Sequence, residues 1–266
     1  MNPLFFPVVA LALLFFVIGC RAGTRAGTQG IHWLLYAAAG ACALPGMLFA
    51  VYYLHWFDDA VWFYQFRSWP LSELAASGAG LLAGLVQAWM IRKGLRLRPL
   101  VPGLLLAGLF VPYMKSVVAP LDLAGLAAVC RDGVCLQTTA STCGPASVAS
   151  ILRVFDIEET EKTLAKEAFT SSGGTENWYL ARALRRRGFS AHYVVVDRPV
   201  ARLPFPSVAG VLLPGGAGHF ISVLAETDTA YVVGDPMYGR VNVPKSRPGD
   251  SYKFTGFFMV VGKPKT

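Results

Sequence analysis

The pattern of apolar and polar positions changes once along the chain, near Pro120. Before that point four long apolar stretches follow one another, at about 3–19, 31–54, 71–91 and 100–118. Each is close to the roughly 20 residues that cross a bilayer core as a helix. Gly and Pro inside them (Pro45, Gly78, Gly80, Gly84, Pro112) are compatible with membrane helices. After Pro120 the periods are those of a folded domain. Residues 143–154 place Val148, Ile151 and Leu152 on one side of a helix. Residues 158–168 predict a second helix, with acids early and lysines late. Residues 176–187 predict a third, ending at Gly188, and its triple Arg185–Arg187 fits a solvated helix end. From there short β-branched or aromatic runs predict strands at 191–196, 207–213, 220–224, 231–233, 240–243 and 257–261. Helices followed by antiparallel strands predict an α+β domain. The expected organisation is a four-span transmembrane domain over 1–119 and a second domain over 120–266.

Composition agrees with membrane spans: 54% of the 266 residues are hydrophobic and 15% charged. Charge then orients them. Residues 1–119 hold 8 Lys/Arg and 3 Asp/Glu, and the remainder 16 and 13. Arg21 and Arg25 follow the first span, and Arg92, Lys93, Arg96 and Arg98 the third. The connector between spans two and three carries Asp58, Asp59 and Arg67 and is rich in Trp and Tyr, as an interfacial segment is. The positive-inside rule puts the basic connectors in the cytoplasm, and both termini and the second domain outside. An alternative reads the first span as a signal peptide, with Val17-Ile18-Gly19-Cys20 as a lipoprotein-like processing site. The segment before it lacks the positive charge such a peptide carries. Glu73 and Lys115 lie near span ends, where snorkelling to the interface is expected. No motif ties the spans to transport, so they are expected to anchor the protein in the lipid bilayer or to grip a membrane-bound substrate. The positive charge does not indicate nucleic acid, for no basic-aromatic stripe accompanies it.

Candidate chemistry begins at Gln137 and Cys143-Gly-Pro-Ala146. A cysteine at a helix N-terminus has free backbone N–H groups and the helix dipole beside its thiolate. Pro145 suits the first turn, and Ser141 or Thr142 can cap it. Gln137 can turn its amide toward the thiol and, with the Cys143 N–H, hold an oxyanion. His219 follows a glycine-rich loop at a strand entrance, and Asp235 comes 16 residues later, after the next strand, before Pro236. If those strands pair, thiol, base and orienting acid come together. Each residue also has a plainer reading: a buried structural cysteine, a surface histidine, a turn aspartate. His32 and His55 lie in or beside the membrane, and His192 has no following acid. Cys130 and Cys135 flank a Gly turn and could form a disulfide, half a zinc site or stay reduced.

From about Val134 to Val261 the chain resembles the papain-like bacteriocin-processing cysteine peptidases, the double-glycine leader peptidases often fused to ABC transporters. The matching features are Gln137, Cys143-Gly144-Pro145-Ala146, Gly174-Thr175, Gly188, Gly218-His219-Phe220 and Asp235-Pro236 with Gly239. The resemblance implies Cys143 as nucleophile, His219 as base, Asp235 as its partner and Gln137 as oxyanion donor. It also implies catalysis without metal, ATP or other cofactor. Thr142 stands where the family usually has an acid, and the sequence contains no Walker motif. The expectation is a multi-pass protein of the bacterial inner membrane that cleaves an exported or membrane-associated peptide or protein, in contact with a secretion or export system. A non-cleaving peptide-binding accessory domain and an acyl transferase of the same fold are the alternatives.

Overall fold

The computed structural model describes residues 2–26, 32–56, 58–95, 99–127 and 129–263. The chain divides into two compact units, one of Met1–Asp58 and Leu71–Val118, the other of Asp59–Pro70 and Ala119–Thr266.

In the first unit the apolar stretches are helices: α1 (Phe5–Ala26), α2 (His32–Val51, extended by a 3-10 turn to Leu54), α4 (Ala79–Arg92, preceded by the 3-10 segment Ser72–Gly78) and α5 (Leu100–Val118). Among the described residues, three are long and apolar enough to cross a membrane: Phe5–Ala26, Trp33–Leu54 and Ser72–Arg92. The first helix runs past the predicted end at residue 19, so Arg21 and Arg25 lie in its last turns. Arg96 and Arg98 lie outside the described residues. Helices α1 and α4 approach closely because small residues face each other. A Cβ added to Gly84 would collide with the Phe16 carbonyl oxygen, and one on Gly80 with that of Ala12. Small residues at such contacts let backbones meet where lipid supplies no hydrophobic drive between helices. Gly84→Ala is expected to destabilise the detergent-solubilised protein by about 1–3 kcal/mol, seen as a lowered thermal midpoint; an unchanged midpoint would mean that α1 and α4 have slack at this contact. Glu73 departs from the expected snorkelling: it is 1% exposed and accepts from Asn2 Nδ2 at 3.3 Å. The partner amide makes an inward position affordable for this carboxyl.

The second unit is α+β. It contains α3 (Val61–Arg67), the hairpin β1 (Cys130–Arg131) and β2 (Val134–Cys135), helices α6 (Cys143–Val154), α7 (Glu161–Glu167) and α8 (Asn177–Arg186), and strands β3 (Ser190–Val195), β4 (Ser207–Leu212), β5 (Gly218–Glu226), β6 (Ala230–Asp235), β7 (Gly239–Pro244) and β8 (Lys253–Gly262). The last six form an antiparallel sheet in the order β3-β8-β4-β5-β6-β7. Its apolar positions, among them Ala209, Val211, Ile221, Val223, Val233 and Phe258, form a closed core. The predicted strands are all present, each within a few residues, β5 and β8 growing most.

Hairpin β1–β2 turns on Asp132 and Gly133, both at positive φ (50° and 79°), the geometry an Asp-Gly hairpin turn favours. Cys130 and Cys135 pair across it and are joined by a disulfide. Helix α7 starts later than predicted. Thr160 caps it by accepting the Thr163 N–H at 3.0 Å, the side-chain cap that relieves an orphan donor. The triple arginine is not a solvated end. Arg187 pairs with Glu159 (2.6 Å) and Glu167 (2.8 Å), and Arg185 donates to the Ala191 carbonyl (2.6 Å) and to Ser68. Only Arg186 of the three is exposed, and it too meets Glu167, at 3.0 Å. The acids were visible in the sequence; that the α7 end of the chain folds back onto α8 was not.

Candidate active site

Helix α6 carries Cys143 as its first residue, and ten of its twelve residues are buried. Gly144 is needed there, since a Cβ would come within 2.9 Å of Leu180 Cδ1 and 3.4 Å of Phe220 Cδ2. Ser147, one turn on, donates to the Phe220 carbonyl at 3.1 Å, which ties α6 to β5 next to His219. The expected side-chain cap is absent. Thr142 turns its hydroxyl back to the Thr139 carbonyl (3.0 Å) and amide (3.1 Å), and Ser141 bonds the Ser172 carbonyl. No side chain caps α6. The first N–H groups of a helix have no intrahelical partner, so those of α6 are left to whatever occupies the space before Cys143.

His219 and Asp235 are brought together by sheet register. Ser222 of β5 lies opposite Gly234 of β6. Continuing that register sets Asp235 opposite Ile221, and makes His219 its diagonal neighbour on the same face. His219 Nε2 lies 3.1 Å from Asp235 Oδ1. Both residues are buried, with Asp235 fully enclosed. A buried carboxylate needs its lone pairs met, and here they are. The Met237 N–H donates to Oδ1 at 2.8 Å and the Tyr252 hydroxyl to Oδ2 at 2.9 Å. With Nε2 engaged by Asp235, Nδ1 is the ring nitrogen left to face Cys143, which is among the groups that raise the imidazole pKa.

The electrostatics follow from these contacts. Burial alone would push the His219 imidazole down. The hydrogen bonds with Asp235 and Cys143, and the charge they place beside the ring, outweigh it and raise the pKa to about 9. Burial alone would raise the Asp235 carboxyl. The His219, Met237 and Tyr252 donors outweigh it and hold it below its ordinary value. His219 therefore carries a positive charge at neutral pH, and Asp235 a negative one.

Gln137 enters from the chain that leaves the disulfide hairpin. Its N–H donates to the Pro236 carbonyl at 2.9 Å, so its backbone is fixed to the turn that follows Asp235. Its Oε1 is enclosed without a hydrogen-bond partner among the described residues. The Cys135 N–H donates to Ser150 Oγ at 2.8 Å, which holds the hairpin against α6. His219 and Asp235 thus meet, Cys143 acts on the same imidazole, and the Gln137 backbone is fixed to the turn that follows Asp235. Tyr252 was missed. It precedes β8, 17 residues beyond Asp235, and no local pattern marks a tyrosine there as a carboxylate partner.

A model of the peptidase C39 family matches residues 131–266, slightly more than half of the chain and including all four of these residues. The chain belongs to the peptidase C39 family. The resemblance seen in the sequence is borne out, and the second unit of this C39 protein is a cysteine-peptidase-like domain. It is 32% identical over 125 residues to an uncharacterised protein of Methanothermobacter marburgensis, covering 47% of this chain and 84% of the relative. It is 28% identical over 131 residues to an uncharacterised protein of Methanothermobacter thermautotrophicus, covering 49% and 89%. Among solved structures it is similar to the peptidase domain of Streptococcus ComA, a bifunctional ABC transporter of a quorum-sensing pathway (21% identity, TM-score 0.42, 49% of this chain and 96% of that one). It is also similar to a double glycine motif protease from an AMS/PCAT transporter in complex with its leader peptide (20%, 0.42, 53% and 92%).

Proposed function

We propose that this C39 protein is a membrane-anchored cysteine peptidase that cleaves a peptide bond in an exported or membrane-associated peptide. The observation that carries the proposal is the buried His219–Asp235 pair, with the imidazole held at a raised pKa by Asp235 and Cys143. In the Cys143–His219 pair the proton rests on His219, and the Cys143 sulfur attacks the scissile carbonyl carbon. The oxyanion is met by the uncapped N–H groups at the start of α6 and by the Gln137 amide. His219 gives its proton to the leaving amine, and the acyl group stays on sulfur. Water, deprotonated by His219, then attacks the acyl carbon, releasing the acid and restoring the Cys143–His219 pair with its proton on His219. Asp235 keeps the imidazole oriented throughout.

The catalytic unit is proposed to face the extracytoplasmic side of the cytoplasmic membrane. Residues 59–70 and 119–266 belong to one compact unit, so an even number of crossings separates them. With α4 as one crossing, α5 supplies the other, which supports four spans. The basic residues Arg21, Arg25, Arg92 and Lys93 then lie on the opposite side, the cytoplasmic one by charge. The Cys130–Cys135 disulfide suits an oxidising compartment.

The reading is tested by incubating the full-length protein, in lipid nanodiscs, with a peptide library and sequencing new termini by mass spectrometry. Termini that arise with wild type and not with Cys143→Ala support it. A folded wild type that yields no new termini would favour a peptide-binding role instead.

A further inference from the structure

The segment between the second and third apolar stretches is part of the catalytic unit. Helix α3 buries Phe63, Tyr64 and Arg67, while Trp62 on the helix, and Trp69 just past its end, are each 55% exposed. The Arg67 guanidinium stacks over Trp178 of α8, 4.8 Å from the ring centre. The carbonyls at the end of α3, orphaned as in any helix, are taken by arginines of α8. Arg182 Nη2 donates to the Arg67 carbonyl at 2.6 Å, and Arg185 Nη1 to the Ser68 carbonyl at 2.8 Å. Twelve residues that could serve as a simple connector are thus bonded into the domain.

Tyr64 is in ring contact with the sheet. Its ring lies 5.6 Å from Tyr193 and 5.1 Å from Phe257, both in the sheet. Phe257 lies 6.2 Å from Phe220. Phe220 follows His219 in β5, and its ring lies against Gly144, the residue after Cys143. A contiguous row of rings therefore runs from the inter-span segment to the backbone that carries both members of the thiol–imidazole pair. Interiors are close-packed, so an emptied ring position is filled by the movement of its neighbours. Small displacements of reacting groups cost large factors in rate.

We propose that Tyr64 is a positioning residue for the Cys143–His219 pair, acting through Phe257 and Phe220, so that the inter-span segment is required for the site's chemistry and not for attachment alone. The inference rests on the peptidase reading above.

The test uses the full-length protein in nanodiscs, comparing wild type, Tyr64→Leu, Tyr64→Phe, Trp62→Ala and Cys143→Ala. Two quantities are read: kcat and KM for a cleaved peptide, and the rate of Cys143 alkylation by iodoacetamide against pH, located by mass spectrometry. Tyr64→Leu is expected to lower kcat about tenfold or more with KM little changed. It is also expected to move the alkaline limb of the alkylation profile by about half a pH unit. Tyr64→Phe, which keeps the ring, restores both, and Trp62→Ala, on the exposed face, changes neither. A folded Tyr64→Leu with wild-type kcat and an unmoved limb would overturn the proposal, as would an equal loss in Trp62→Ala. If Tyr64→Leu does not fold, Phe257→Leu in the middle of the row carries the same expectation and the same contradiction. Alkylation needs no substrate, so it tests Tyr64 even if the wild type cleaves nothing. Conversely, cleavage that disappears only in Cys143→Ala upholds the peptidase reading and sinks this inference alone.

Discussion

Cys143→Ala is expected to reduce kcat/KM by about 10⁴-fold or more while leaving the fold intact. The size follows from what the residue supplies. Without sulfur no acyl-enzyme forms, and the charged His219 and the open helix N-terminus are left to act on bound water alone. The fold is expected to survive because alanine favours helix and the side chain removed is small. Peptide binding is expected to persist, so that the variant traps uncleaved substrate. Steady-state kinetics and a binding measurement on the same preparation check both statements. A Cys143→Ala protein that still cleaves at a tenth of the wild-type rate would place the nucleophile elsewhere.

Asp235→Asn is expected to have the second largest effect, and on two readouts. The carboxylate accepts from His219, Met237 and Tyr252, and its side chain is fully enclosed. An amide in its place turns one acceptor into a donor facing other donors. Leaving buried donors unmet costs about 1–3 kcal/mol each, so a loss of about 3 kcal/mol or more in unfolding free energy is expected near pH 6.

The pH dependence has a definite sign. His219 has a folded pKa near 9, above its ordinary value of 6.5. Its contribution to stability is therefore complete below about 6.5 and disappears as pH rises through 9. Asp235 has a lowered folded pKa, below its ordinary value of 3.8. Its contribution is present above that value and is lost as pH falls through the folded one. The stability gap between wild type and Asp235→Asn should thus be widest between about pH 4 and 6.5 and close on the alkaline side. In the wild type kcat/KM is expected to fall as pH rises through about 9, when the imidazolium loses the proton the leaving amine needs. In Asp235→Asn that limb should move to lower pH, because a negative charge that held the proton is gone. Thermal unfolding and pH–rate profiles check the pair; a limb that stays near 9 would show that Asp235 does not govern His219.

Much of the site could be seen in the sequence because its geometry is carried by local elements. The start of α6 was visible from Cys143-Gly-Pro and the apolar positions after it. His219 and Asp235 lie on adjacent antiparallel strands joined by a short turn, so their meeting follows from a spacing of 16 and the pleat. The features that went unseen all depend on segments far apart in the chain. Tyr252 reaches Asp235 from the last strand's approach, and the Glu159 and Glu167 partners of Arg187 come from α7 and the loop before it. The membership of residues 59–70 in the second unit was hidden most thoroughly. Trp and Tyr in a connector between spans fit a lipid interface as well as a protein one. Only the burial of Phe63 and Tyr64, set against the exposure of Trp62, separates the two faces of α3. Neither expected cap forms, because Thr142 bonds the Thr139 carbonyl in the turn before α6 and Ser141 the Ser172 carbonyl, far along the chain.

The most direct measurement is labelling of Cys143 in intact cells or spheroplasts with a membrane-impermeant, peptide-like electrophile, the modified residue being located by mass spectrometry. The expected result is a label on Cys143 without permeabilisation, absent in Cys143→Ala and slowed about 100-fold or more in His219→Ala. Cys143 left unlabelled in folded, reduced protein after lysis would contradict a His219-activated nucleophile, and labelling that requires permeabilisation would contradict an extracytoplasmic site.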